Sequence, residues 1–461
     1  MKKLAKEEYK HLFTIVSNFI LLCIETAIFA VVWLECYFPS IEQPSFSYEN
    51  IIMIGMYALF MFMFVRGMNG QNIGYLRITE MWLSQILAIC LGTVVIYIEI
   101  CVFARGYMNP VPLLGMAGAE ALVVLICVYV IRVIYLKLYP PKDMVVIYEK
   151  RYPEELIGKL ASGQEEFHLC DSICTDVGMK RLKEKSRESD AVILSDLPDQ
   201  LRNTLVKYCY QYDIRTYVTP KISDIILRGA ENVHMFYQPF LLSRNRGLPV
   251  EQRFVKRIFD IVVALVILAV TSPLFLLAAV SIRLCDGGRV IYRQERLTKD
   301  GKSFWMFKFR SMYEDAERDG PRLAAKGDGR ITPVGKILRR LHIDELPQLI
   351  NVLRGEMSIV GPRPERREIA EQYEKNIPEF PYRLKVKAGL TGYAQVNGKY
   401  NSTPYDKLKL DITYIENYSI WLDIKILLWT AKVLFQEENS EGVDEGCVTA
   451  VPPAKGEEED V

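Results

Sequence analysis

Four long apolar runs fall within the first 140 residues, and they limit the fold more than any other feature: Leu12 to Leu34, Ile51 to Val65, Met81 to Ala104 and Val111 to Ile131. A bilayer core takes about 20 apolar residues in helix, so the first, third and fourth runs meet that length unaided. The second is shorter and needs flanking residues, with the charge of Arg66 reaching back to the interface. The first run is too long for a signal peptide and lacks a small-residue cleavage site, so it is expected to stay in the chain. Basic residues orient the block. They precede the first run ("MKKLAKEEYK"), lie between the second and third (Arg66, Arg77) and follow the fourth (Arg132, Lys137, Lys142). The segment from Glu35 to Asn50 has no Lys or Arg, and the next outer segment has only Arg105. The positive-inside rule then predicts four spans with both ends of the block in the cytoplasm.

Glu25, Glu99 and Glu120 interrupt the runs. With no matching cation nearby, they are expected near an interface or facing a helix partner. The remainder is polar enough for soluble domains: 25% of the 461 residues are charged, and the net charge of +1 makes no whole-chain case for nucleic-acid binding. Most of the ten cysteines fall in apolar runs. Cys170 and Cys174 lack the C-x-x-C spacing and have no partner pair, which predicts buried or free thiols, not a metal or disulfide framework. Four histidines (11, 168, 234 and 342) are too scattered for a zinc site.

After "LYPPKD" the composition becomes soluble. "MVVIY" (144–148), "AVILSD" (191–196) and "IRTYV" (214–218) read as strands, with helical stretches from Pro153 and through Tyr210. Such alternation predicts a small parallel α/β domain. Its first strand–helix turn reads "YEKRYPEE", without the glycines a dinucleotide-binding loop needs. A spacer, dimerisation or regulatory role is expected in place of nucleotide binding.

A fifth apolar run, Ile258 to Leu284, carries Ser272-Pro273 near its middle. Proline removes a helix hydrogen bond and clashes with the preceding turn. Both flanks are basic: Lys256 and Arg257 before, then Arg283, Arg289, Arg293 and Arg296 after. A spanning helix should have one such flank, so a bent segment returning to the same leaflet is predicted. Near the end, "YSIWLDIKILLWTAKVLF" (418–435) suits a helix lying in the membrane interface or packed on its own domain.

Between these lie charged motifs. Arg293, Arg310, Arg339, Arg363 and Arg383 each sit close to turn-forming or short polar residues, and a planar guanidinium suits paired hydrogen bonds to phosphate. No P-loop, H-E-x-x-H or G-x-S-x-G motif is present. That leaves carboxylates. In "HIDELPQL" (342–349), Asp344 and Glu345 stand just before Pro347, a residue that tolerates a helix start. From these residues alone, a plain helix start and a reactive pair both remain open. An Asp can attack phosphorus and hold a phosphoryl group as a mixed anhydride, and such chemistry commonly uses Mg²⁺ on one or two carboxylates.

The ordered run "KRIFDIVVAL", "YRQERL", "KSFWMFKFRSM", "ITPVGKILRRLHIDELPQLINVLRGEMSIVGPRP" and "GLTGYAQVNG" resembles the bacterial sugar transferase family, the monotopic polyprenyl-phosphate phosphoglycosyl transferases. It spans Arg253 to Phe435, about 40% of the chain. The resemblance implies an enzyme that passes a sugar 1-phosphate from a UDP-sugar to undecaprenyl phosphate and releases UMP, as the first membrane step of capsule, exopolysaccharide or O-antigen assembly. It implies Asp344 as nucleophile, and Glu345 as its partner in Mg²⁺ binding or proton handling. Arg310, Arg339, Arg363, Arg383 and Asp411 would serve the phosphates, and Ser272-Pro273 would form the re-entrant break. The chain departs from the family pattern at "DGGRVIYRQ", Leu384 and Ala388, which puts local donor contacts in question. A glycosyltransferase that releases UDP and a non-catalytic scaffold are the competing readings.

The expected architecture is a mixed membrane protein of the inner membrane. It comprises a four-helix transmembrane block (1–142), a degenerate Rossmann-like α/β domain (143–245), an α/β catalytic domain facing the cytoplasm (246–436, re-entrant helix 256–284) and a disordered acidic tail (437–461). Its expected partners are the UDP-sugar, the lipid acceptor and the bilayer. No nucleic acid is expected, and a homodimer is compatible with the reading.

Overall fold

The computed structural model describes residues 2–41, 48–73, 78–149, 156–158, 167–243, 247–313, 329–398 and 403–434. The acidic tail and much of the "YEKRYPEE" turn lie outside them. The chain divides into two compact units, Met1–Thr219 and Pro220–Val461.

In the first unit, the four apolar runs become α1 (Lys2–Val32), α2 (Tyr48–Gly67), α3 (Ile78–Phe103) and α4 (Val111–Leu138). Their shared interior is apolar and aromatic: Phe29 stacks on Tyr57 at 4.3 Å between centroids, among buried Trp33, Met61, Ile96 and Val128. Large apolar side chains such as Phe19, Ile51, Val94 and Ile126 face outward. Outward apolar surface on helices whose backbone is satisfied internally is what a bilayer requires. Glu120 faces a helix partner, accepting the Tyr57 hydroxyl at 2.7 Å.

The unit continues with β1 (Lys142–Tyr148), β2 (Phe167–Cys174), α5 (Met179–Glu188), β3 (Ala191–Ser195), α6 (Asp199–Gln211) and β4 (Arg215–Val218). The strands form one parallel sheet in the order β2-β1-β3-β4. β1 and β3 are buried β-branched runs, the pattern of strands covered on both faces. β2 is an edge strand with alternating exposure, and its polar sequence "FHLCDSIC" gave no strand signal.

The second unit begins with α7 (Ile222–Arg228) and a hairpin, β5 (Glu231–Met235) and β6 (Gln238–Leu242). The unit boundary thus falls earlier than residue 245, because Ile222 and Ile225 pack on Leu408 and Ile412 of the C-terminal part. Then come α8 (Val250–Asp286), β7 (Ile291–Leu297), β8 (Ser303–Phe309), α9 (Pro333–Arg340), α10 (Gln348–Arg354), β9 (Ser358–Val360), α11 (Arg367–Asn376), β10 (Gly389–Thr391), α12 (Tyr393–Asn397), α13 (Pro404–Glu416) and α14 (Ile420–Leu434). β7 pairs antiparallel with β8, and β9 parallel with β10.

With α8, five helices among the described residues are long and apolar enough to cross a membrane. α8 stays helical through Pro273. That proline has no N–H for the carbonyl of Ala269, and the Ser272 hydroxyl donates to that carbonyl at 2.8 Å. Both ends of α8 pack on the second unit. At its N-terminal end Asp260 accepts from Ser358 Oγ at 2.9 Å and Ile359 N at 3.0 Å. At its C-terminal end Ala278 and Ile282 are buried with Phe309 and Leu338.

A buried polar knot fixes the N-terminal end. Lys256 Nζ donates to Asp423 Oδ2 at 2.8 Å, Val360 O at 3.0 Å and Tyr414 Oη at 3.1 Å, while the Tyr414 hydroxyl donates to Asp423 Oδ1 at 2.8 Å. Arg257 caps the last carbonyls of α10, Val352 and Leu353, at 2.6 and 2.7 Å. Between these ends lies the core of Leu349, Val352, Met357 and Ile359, all fully buried.

Candidate active site

Asp344 and Glu345 lie on one 3-10 turn, Ile343–Glu345, between α9 and α10. The dyad therefore precedes the helix start by a turn, with Pro347 as the N-cap of α10. His342 opens the turn in the left-handed region (φ 53°, ψ 20°), which costs a non-glycine residue on the order of 1 kcal/mol. That reversal turns the chain out of α9 at once and buries Asp344. α9 approaches the end of β8 closely. A Cβ at Gly335 would collide with the Ser311 carbonyl, and Thr332 Oγ1 caps the helix by accepting from Gly335 N at 2.9 Å.

The two carboxylates differ. Glu345 Oε1 accepts from Lys308 Nζ of β8 at 2.9 Å and from Arg363 Nη2 at 2.6 Å. Burial alone would raise its pKa, but the Arg363 and Lys308 charges overcome it and hold the group well below the usual carboxylate range. Asp344 makes no side-chain hydrogen bond among the described residues. Burial, then the neighbouring Glu345 charge, pushes its pKa up, with Lys308, Arg339 and His342 opposing. One acid is locked as an anion, while its neighbour is left with open oxygens in a cationic pocket.

Arg363 leads to a second buried group. Its carbonyl accepts from Arg383 Nη2 at 3.0 Å. Arg383 also holds Asp411, with Nε at 3.0 Å and Nη2 at 2.8 Å from Oδ2, and it lies 3.4 Å from Glu365 Oε1. Burial raises the Asp411 pKa to about 6 against the pull of Arg383. A cavity of about 270 Å³ opens beside this group, lined by Leu297, Arg363, Glu365, Phe380 and Arg383.

Of the arginines anticipated from sequence, Arg363 touches the dyad, and Arg383 with Asp411 stands one residue further out. Arg339 donates Nε to Ser311 Oγ at 3.0 Å and adds its charge to the field on Asp344. Arg310 is buried against Gly288, where a Cβ would strike its guanidinium. Sequence reasoning missed Lys308 and Glu365. A lone lysine inside the aromatic strand "FWMFKF" was the available signal for the first; nothing set the second apart from other surface acids.

A family model described as "Bacterial sugar transferase" matches residues 251–437. A UDP-glucose:undecaprenyl-phosphate glucose-1-phosphate transferase of Caulobacter vibrioides is 43% identical over 210 residues, covering 43% of this chain and 78% of that protein. The chain belongs to the bacterial sugar transferase family. A UDP-N-acetylgalactosamine-undecaprenyl-phosphate N-acetylgalactosaminephosphotransferase of Aeromonas hydrophila is also 43% identical, over 184 residues, or 39% of this chain and 44% of its own. A UDP-glucose:undecaprenyl-phosphate glucose-1-phosphate transferase of Escherichia coli K12 is 44% identical over 183 residues, 39% of each chain. The chain spans less than half the length of two of these relatives, and the dyad with Arg310, Arg339, Arg363 and Arg383 falls inside residues 251–437.

Proposed function

We propose that the protein transfers a sugar 1-phosphate from a UDP-sugar to undecaprenyl phosphate, releasing UMP. The observation that carries this reading is the asymmetric dyad: Asp344 with no side-chain hydrogen bond among the described residues, beside a Glu345 immobilised by Lys308 and Arg363. The relatives' names supply the reaction class. In the first step an Asp344 oxygen bonds to the β-phosphorus as the bond to the UMP oxygen breaks. In the second, a phosphate oxygen of the lipid attacks the same phosphorus and frees the carboxylate.

Lys308 and Arg363 fix Glu345 and leave net positive charge for the diphosphate. The Nη groups of Arg339 make no hydrogen bond among the described residues, which suits them to phosphate oxygens. Arg383 spends its donors on Asp411, Glu365 and the Arg363 carbonyl, so it acts by positioning Arg363. The open oxygens of Asp344 and the looser Glu345 Oε2, 3.4 Å from Arg363 Nη1, fit a Mg²⁺ site. A Mg²⁺ bound there would neutralise the diphosphate.

The packing of both α8 ends on one unit supports a re-entrant helix and a cytoplasmic catalytic domain in a bacterial inner membrane. A straight helix would put Asp260 and Ile282 about 33 Å apart, the thickness of a bilayer core, and so on opposite sides of it. Four spans from α1 to α4 complete this topology. The place of the reaction at the start of polysaccharide repeat-unit assembly belongs to the same reading.

Relatives of equal identity are named for glucose and N-acetylgalactosamine, so similarity does not choose the sugar. A panel of UDP-sugars, incubated with purified protein and undecaprenyl phosphate, tests the proposal by its nucleotide product. UMP is expected with at least one sugar; UDP as the product would make it a glycosyltransferase.

A further inference from the structure

The edge of the parallel sheet in the first unit carries a cluster that the transferase reading does not use. Asp143 pairs with His168 and Met144 with Leu169, but Val145 pairs with Asp171, so Cys170 is the extra residue of a bulge in β2. Bulges re-aim side chains. Here the donor atoms of Asp143, His168 and Cys170 lie within 4.8 Å of one another, and all three residues are exposed.

His168 Nδ1 is 3.4 Å from Asp143 Oδ1 and 3.4 Å from Cys170 Sγ. In a tetrahedral zinc site the N–O edge is about 3.3 Å and the N–S edge about 3.6 Å, from ordinary metal–ligand lengths. The two separations therefore match edges of a coordination tetrahedron. Asp190, whose Oδ2 is 3.4 Å from Asp143 N, lies outside this set of donor atoms, which leaves the fourth position to water.

Two other uses fit less well. A Cys-His-Asp catalytic triad needs thiol and carboxylate on opposite ring nitrogens, and here both approach Nδ1. A disulfide within the strand is disfavoured because Cys174 directs its thiol to the Glu149 carbonyl at 2.8 Å and to Asp176 at 3.2 Å.

We propose that Asp143, His168 and Cys170 form a binding site for a divalent transition metal of the zinc class. Binding converts the Cys170 thiol to a thiolate, releases its proton to solvent and leaves the metal in its 2+ state. Sulfur and imidazole ligands exclude Mg²⁺, which separates this site chemically from the dyad. The metal clips edge strand β2 to β1, whose Asp143 follows the end of α4 by five residues.

The test is a titration of the full-length, metal-stripped protein in detergent with Co²⁺, followed by Zn²⁺. The expected result is one equivalent bound, with tetrahedral visible bands and a thiolate-to-cobalt charge-transfer band, both removed by Zn²⁺. Cys170→Ser should lose the charge-transfer band, and His168→Ala or Asp143→Asn should weaken Zn²⁺ binding at least about tenfold; Cys174→Ser should change nothing. In the unmutated chain, Zn²⁺ should protect Cys170 from alkylation, read by peptide mass. A charge-transfer band that persists in Cys170→Ser, no saturable Co²⁺ binding, or alkylation of Cys170 that Zn²⁺ does not slow would each overturn the proposal.

Discussion

In the proposed reaction Asp344 attacks only as a carboxylate, and its pKa is raised by burial and by the Glu345 charge. Activity must therefore fall as pH drops through a value above the ordinary Asp pKa of about 3.9. Arg339 lowers that value, so Arg339→Gln should move the acid limb of kcat/KM to higher pH; an unmoved limb would take Arg339 out of the field on Asp344. Lys308→Met removes one of the two cations on Glu345. It should cut kcat by about 10²-fold or more, the scale for losing one preorganised electrostatic contact, with far-UV circular dichroism unchanged. Asp411→Ala leaves the buried Arg383 with only the longer contact to Glu365 as a charge partner among the described residues. A loss of about 3 kcal/mol in unfolding free energy is expected, read by denaturant titration.

At the scale of elements, α8 is held by a buried ion pair as well as by apolar contact. Lys256→Met should cost about 3–5 kcal/mol, because Asp423 then stays buried with its cation gone and Tyr414 as its hydroxyl donor. The double variant Lys256→Met with Asp423→Leu should recover much of that loss, as replacing both partners by apolar residues removes the buried charge. Denaturant midpoints of the three proteins check this. The sequence made α1 to α4 and three of the four sheet strands legible because long or β-branched apolar runs have few other places to go. It did not show β2, an edge strand whose polar residues satisfy solvent. It could not show the Lys256–Tyr414–Asp423 knot either, since more than 150 residues separate its ends and only tertiary packing joins them. The dyad was legible as a motif; its electrostatic asymmetry was not, because that depends on Lys308 from β8 and Arg363 after β9.

For the whole molecule, topology is the property the apolar runs leave open, since five helices among the described residues could cross a membrane. Cys285 sits exposed at the end of α8 and serves as a natural probe. In intact cells a membrane-impermeant maleimide should leave it unmodified until the inner membrane is opened; labelling from the periplasm would make α8 a fifth span.

In the proposed reaction Asp344 carries the transferred group. Protein incubated with a UDP-sugar that supports UMP release, without lipid acceptor, should be digested and its peptides weighed. The expected result is a sugar-phosphate adduct on Asp344, absent in Asp344→Asn along with UMP release. An adduct on Glu345, or full UMP release by Asp344→Asn, would contradict it.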